Sequence, residues 1–280
     1  MIDKINFYKN RDFIFEINKF NIKSILPVIG QKKLKDSFEG FILVEHMFIT
    51  RQFRLIEMLL KSKMSFDHVD GCLIVASVTR TIIENAAVVN YLIHDTSSTK
   101  EDKIDVLNEF QNMAKIWAEQ NSIKFDKSSL KQYDSFIQQH KSTINNHVWA
   151  KISSDVGNTS KLIKRAFISP VPWENITKNK NPDVRHKTFA DMVHDEWDSL
   201  SKLLHNNQLH RLVFLNAENG TINLNYKNYA EYMDSALQML GLILLNLFHD
   251  LLPIIDDQQL ILKYVSFCKK YIIQNNLKGY

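Results

Sequence analysis

The sequence predicts an all-α protein: a single helical-bundle domain over residues 1–280, with one small β-hairpin near 212–224. Three observations carry that reading. Apolar residues recur at i, i+3, i+4 along most of the chain, the period of an amphipathic helix. Only seven Gly and five Pro occur in 280 residues, whereas an all-β chain needs a turn every ~8–12 residues. No internal repeat and no long flexible linker divides the chain, so a core over 35–250 and a C-terminal helix over 256–274 form one domain.

The elements follow in order. Residues 32–63 set Leu34, Phe38, Phe41, Ile42, Phe48, Ile49, Phe53, Ile56, Leu59 and Leu60 mostly at helical spacing. Asp67 is a cap for the next helix, 68–94. Thr99 opens a third, 100–121, whose Glu101 and Asp102 sit in the first turn, where the helix dipole favours acids. Ser128 opens a polar helix ending near His140, and Thr159 a short basic one, Lys161 to Ile168. Ser169 to Asn181 reads as the clearest loop. Asn181-Pro182-Asp183 is a helix-start pattern for a helix running to His205. Leu212-Val213-Phe214-Leu215 and Thr221-Ile222-Asn223-Leu224 flank the turn Glu218-Asn219-Gly220 and read as the hairpin. Helices over 228–251 and 256–274, with Pro253 between them, close the chain.

Composition bounds the chemistry. Hydrophobic residues are 45%, charged residues 24%, and the net charge is +4. That mild basicity permits nucleic-acid contact without demanding it. Cys72 and Cys268 are too few and too far apart for a disulfide framework or a CxxC zinc pattern. MIDKINFYKN lacks the apolar stretch of a signal peptide. Ala236 to Leu252, the most apolar run, is broken by Gln238, Asn246, His249 and Asp250, so it reads as a core helix and not a membrane span. The expectation is a cytoplasmic protein with no membrane partner and no cofactor. The absence of GxGxxG, P-loop and GxSxG patterns disfavours nucleotide-fold and serine-hydrolase chemistry.

Helix 68–94 carries the sharpest signal. From Cys72 to Ile93 its only charged residues are Arg80 and Glu84. Apolar residues surround them on every side, which predicts a central, buried helix. Leu73, Ala76, Arg80, Glu84, Ala87 and Tyr91 fall within about 40° of one another at 100° per residue. The i, i+4 spacing lets Arg80 and Glu84 pair. A buried ion pair costs several kcal/mol of desolvation per ion and calls for a reason. It either anchors a neighbouring element or lines a polar cleft.

Helix 182–205 steps Trp197, Ser201 and His205 along one side, with Leu200 and Leu204 beside them. His205 falls near the helix C-terminus, where it either caps the last carbonyls or serves as an acid–base group. Arg80-Thr-Ile-Ile-Glu84 with Tyr91, then Trp173, then Trp197-Asp-Ser-Leu200-Ser201-Lys-Leu-Leu-His205 resembles the prokaryotic domain-of-unknown-function family 5677 over roughly residues 35–250. Trp197 stands where a Tyr is usual. The resemblance implies an all-helical domain related to the HEPN superfamily, whose active members are often RNases of toxin and antiphage systems. Those members carry an arginine and, four to six residues on, a histidine on one helix. That spacing is absent here, so a site would be composite.

The expected catalytic residues are therefore Arg80, Glu84 and His205, with Trp197, Ser201 and Tyr91 as binding residues and no metal. A histidine can move a proton, a carboxylate can orient or deprotonate, and an arginine can neutralise a phosphorane. The function this implies is a metal-independent ribonuclease of a bacterial defence or toxin system. Its partners would be RNA, a second copy of the chain, or a cognate defence-system protein. The alternative is a non-catalytic helical interaction or sensor module in which the ion pair is structural. Two further clusters fit blander readings. Asp191, His194 and Asp195 share a helix face at metal-ligand spacing but lack a second set of ligands. Lys161, Lys164 and Arg165, with Lys178 and Lys180, suit either phosphate contact or an ordinary solvated surface.

Overall fold

The computed structural model describes residues 4–35, 37–61, 69–94, 96, 99–103, 158–167, 188–205, 215–218, 221–224 and 226–274. Its class is all-α. The helices are α1 (Lys4–Phe20), α2 (Leu26–Gln31), α3 (Ser37–Lys61), α4 (Val69–His94), α5 (Thr159–Ala166), α6 (Phe189–Leu204), α7 (Tyr226–Ile255) and α8 (Gln258–Gln274). A π-helical turn, Asn21–Ile25, joins α1 to α2. Two four-residue segments, β1 (Leu215–Glu218) and β2 (Thr221–Leu224), pair antiparallel with Leu215 opposite Leu224. Leu212 to Phe214, Asp67, Trp173, the helix expected over 128–140 and most of that over 100–121 lie outside the described residues. So do the loop 169–181 and the Asn181-Pro182-Asp183 start.

Helix α4 is the axis of the bundle, packing against α3, α5, α6 and α7, while α1 lies along α7 and α3. The helix buried on every side is nonetheless α7, not α4. Leu242, Ile243, Leu244, Leu245, Leu247 and Phe248 are consecutive or nearly so, and all are buried. On α4, Ile74, Ser77 and Thr81 face solvent. The expectation of a helix buried all round therefore fails for α4, because an apolar side chain there need not be covered. Leu73–His94 and Glu231–Ile255 are long and apolar enough for a membrane span by length and composition, yet 78% of the latter's apolar window is covered by protein.

Gly241 explains how closely α1 approaches α7. A Cβ at that position would press on Phe13 Cε1 and lie 3.3 Å from Ile17 Cδ1, so any side chain there would have to push the ring aside. Between α4 and α7 runs a line of buried polar groups. Asn90 Nδ2 donates to Asn246 Oδ1 at 2.7 Å. One turn on, His94 Nε2 stands 2.9 Å from Asp250 Oδ2. His249 Nδ1 is 3.2 Å from Asp250 Oδ1. Burial pushes the Asp250 carboxyl up, but the two histidines together outweigh it and hold it below the ordinary carboxylate range.

Several ends differ from the sequence reading. Helix α3 starts at Ser37 and not near 32. The chain over 32–34 is non-helical, and the Lys35 N–H is taken by the Glu39 carboxylate at 3.0 Å. Asn158, not Thr159, caps α5, accepting from Lys161 N. Helix α6 starts at Phe189, since Thr188 is extended and forms a reciprocal capping box with Asp191, which satisfies two orphan N–H groups at once. Helix α7 runs through Pro253 to Ile255. In the last turn Pro removes one hydrogen bond and does not stop the helix. The stop comes at Asp256, whose φ of 57° is the left-handed conformation that ends many helices. Asp257 then caps α8 by accepting from Leu260 N at 2.9 Å.

Candidate functional site

Arg80 and Glu84 lie midway along α4, on the side that meets α6. Ala76, Ala87 and Tyr91 on the same stripe are buried, so the stripe faces protein as expected. The charged pair sits at its rim: the two side chains keep 24% and 34% of their exposure. The pair is thus not a buried ion pair, and water supplies part of the solvation that the sequence reading took to be lost. Both residues reach α6, through Trp197 and His205.

Arg80 Nε donates to Glu84 Oε1 at 3.1 Å. The same oxygen accepts from Trp197 Nε1 at 2.9 Å. The Arg80 guanidinium stands 5.9 Å from the Trp197 ring centre, and its NH1 is 3.0 Å from His205 Nε2. A guanidinium only donates, so this contact uses the Nε2 lone pair and the ring carries its proton on Nδ1. The helical step from Trp197 to His205 places both side chains against the one arginine. His205 is exposed and ends α6, its N–H bonded to the Ser201 carbonyl at 2.9 Å. Arg80, Glu84 and His205 therefore stand together in one partly open cluster.

The other expected residues divide. Trp197 is half-buried and belongs to the cluster, through a bond to Glu84 that helical spacing did not suggest. Any buried or half-buried indole needs an acceptor, and that rule was the available clue. Ser201 turns its hydroxyl onto its own helix, donating to the Trp197 carbonyl at 2.7 Å. Tyr91 is buried in the core, two turns beyond Glu84. The Asp191, His194 and Asp195 face is occupied otherwise. Asp191 completes the α6 capping box, and its hydrogen bonds with Thr188 lower its pKa. His194 Nε2 lies 2.8 Å from Ser160 Oγ on α5. No group of three metal-ligating side chains is found among the described residues. Lys161, Lys164 and Arg165 are exposed on α5.

Chemically the cluster joins a cation, a carboxylate and an imidazole nitrogen whose lone pair faces the cation. A phosphate oxygen that takes the place of His205 Nε2 beside Arg80 would accept a charge-assisted hydrogen bond from the guanidinium. Glu84 fixes the guanidinium through Nε and leaves its outer edge to a ligand. No family model matches this chain, no curated protein matches it, and no solved structure matches it.

Proposed function

We propose that the chain is a HEPN-like, metal-independent ribonuclease of a bacterial defence or toxin system, acting through Arg80, Glu84 and His205. The observation that carries this reading is the 3.0 Å approach of His205 Nε2 to the Arg80 guanidinium at an exposed helix end. A tie between α4 and α6 is already complete in Glu84, which accepts from both Arg80 and Trp197. An exposed histidine adds little stability to that tie, whereas it adds a proton acceptor beside a fixed cation.

In the reaction, the Arg80 guanidinium turns its outer edge from His205 to a phosphoryl oxygen. His205 Nε2, released, takes the proton of the ribose 2′-hydroxyl. The 2′-oxygen bonds to phosphorus, the bond to the 5′-oxygen breaks, and the proton passes to that oxygen. Arg80 neutralises the charge that builds on the phosphorane, and Glu84 holds Arg80 in place. The products are a 2′,3′-cyclic phosphate and a 5′-hydroxyl.

The test is cleavage of single-stranded RNA by the purified chain in excess EDTA. Products ending in 2′,3′-cyclic phosphate are expected, and His205→Ala should slow their formation by about 10²–10⁴-fold, the usual worth of an acid–base group. Undiminished cleavage by a folded His205→Ala protein would remove His205 from the chemistry. The Trp197–Glu84 bond favours a second reading, a non-catalytic module in which the cluster only joins α4 to α6. Failure of the wild type to cleave any RNA supports that module.

A further inference from the structure

Helix α3 carries an apolar stripe that nothing described covers. Val44, Phe48, Leu55 and Met58 are 49%, 52%, 52% and 60% exposed, and Arg51 between them is exposed too. Together with half-buried Phe41, the positions 41, 44, 48, 51, 55 and 58 step by three and four in alternation. That is the seam of a coiled coil. The opposite side of α3, through Ile42, Ile49, Phe53, Ile56 and Leu60, is buried in the domain. One helix thus has two apolar sides, and only one is used by its own fold.

We propose that this stripe joins two copies of the chain through antiparallel packing of α3 on α3. The stripe is able to pair with itself. The steps three, four, three, four, three read the same from either end, so a two-fold axis near the middle of the 25-residue helix brings each position opposite a counterpart. Val44 then meets Leu55 of the other copy, and Phe41 meets Met58. Phe48 meets Arg51, which is the chemistry an arginine in an apolar seam requires. Arg51 has no carboxylate partner among the described residues, and an aromatic face attracts a guanidinium within about 6 Å. A partner with a plain apolar helix would bury that charge unpaired. With each large side chain about half exposed, the two copies together would cover on the order of 1,000 Å², the lower bound of a specific interface. The stripe lies on α3, so the inference stands apart from the Arg80 cluster and its chemistry.

The test measures mass and register in the full chain. Sedimentation through the micromolar range is expected to show a mass rising twofold with concentration. Leu55→Lys, at an exposed position, should abolish the rise and keep a cooperative thermal melt that no longer depends on protein concentration. For register, the double variant Val44→Cys/Leu55→Cys should form a disulfide-linked dimer under mild oxidation, and either single variant should not. Within one copy the two positions are about 16 Å apart along the helix, too far to bridge internally. A wild type that stays monomeric throughout overturns the proposal, as does a dimer unaffected by Leu55→Lys. A dimer linked by Leu55→Cys alone would mean a parallel seam and overturn the antiparallel one.

Discussion

Replacing Arg80 by Ala tests how the α4–α6 cluster is held, and the structure gives the size of the effect. The arginine makes three contacts. Its ion pair with Glu84 joins side chains 24% and 34% exposed, and an i, i+4 pair of that openness is worth about 0.5 kcal/mol. Its guanidinium over Trp197, at 5.9 Å, is near the outer limit for a cation–π contact and adds about 0.5 kcal/mol. The exposed bond to His205 contributes about 0.5 kcal/mol, the low end for a hydrogen bond. Glu84 keeps the Trp197 N–H and reaches water, so no charge is stranded. The expected loss is about 1.5–2 kcal/mol in all. A fully buried pair would instead lose about 3–5 kcal/mol when one partner is removed. Urea unfolding gives the number directly, and a fall in Tm of roughly 3–8 °C should accompany it. A loss of 4 kcal/mol or more would refute the reading of an open rim. A loss within the expected range makes Arg80→Ala a usable variant for RNA cleavage, because its failure could not then be ascribed to unfolding.

Three further outcomes are expected. Gly241→Ala gains about 1 kcal/mol of helix propensity but drives a methyl into Phe13. A net loss of about 1–2 kcal/mol is expected by urea melts, partly recovered by adding Phe13→Leu, and a gain in stability would show that α1 yields freely. Burial raises the Glu196 carboxyl pKa, more than the Ser235 hydroxyl lowers it. The folded state therefore holds that proton more tightly, and the ionised form weakens folding above the raised pKa. Glu196→Gln should be more stable than wild type at pH 7, with the advantage fading as pH falls towards about 4, and a less stable Gln variant at pH 7 contradicts this. His46 is fully buried beside Asn21 Oδ1 at 3.3 Å, and burial lowers its pKa to about 3. The unfolded chain binds this proton as pH drops below about 6.5 and the folded one does not, so His46 opposes folding there. Its ring resonances should stay flat from pH 8 to pH 5, and an inflection near 6.5 would mean the ring reaches water.

Helix spacing made much of this legible and stopped at identifiable physical limits. The Arg80–Glu84 pair and the Trp197–Ser201–His205 row were readable because one helix fixes its own angles. Their meeting was not readable, since the crossing of α4 and α6 depends on side-chain sizes along both. Exposure was misread at Arg80 for the same reason: periodicity tells which side faces protein and not how far the protein extends over it. The first 31 residues yielded no element. The π-helical turn inserts a residue between Ile17 and Ile25, which shifts the apolar phase and hides the pattern. Pro253 misled because a proline's cost depends on whether an i−4 bond is still needed, and in the last turn of α7 it is not. The Thr188–Asp191 box, by contrast, follows a known sequence signature and lies seven residues beyond the more conspicuous Asn181-Pro182.

Because α4 is packed by α3, α5, α6 and α7, the amides on its buried side reach solvent only when the bundle opens. Their hydrogen exchange should run near the rate of global unfolding. Arg80 and Glu84 inherit that permanence. His205 sits on the final turn of α6, its N–H held by the Ser201 carbonyl, and terminal turns open locally at small cost. The two halves of the cluster therefore keep different clocks. The cation stays in place for the lifetime of the fold, and the imidazole comes and goes with the fraying of a helix end.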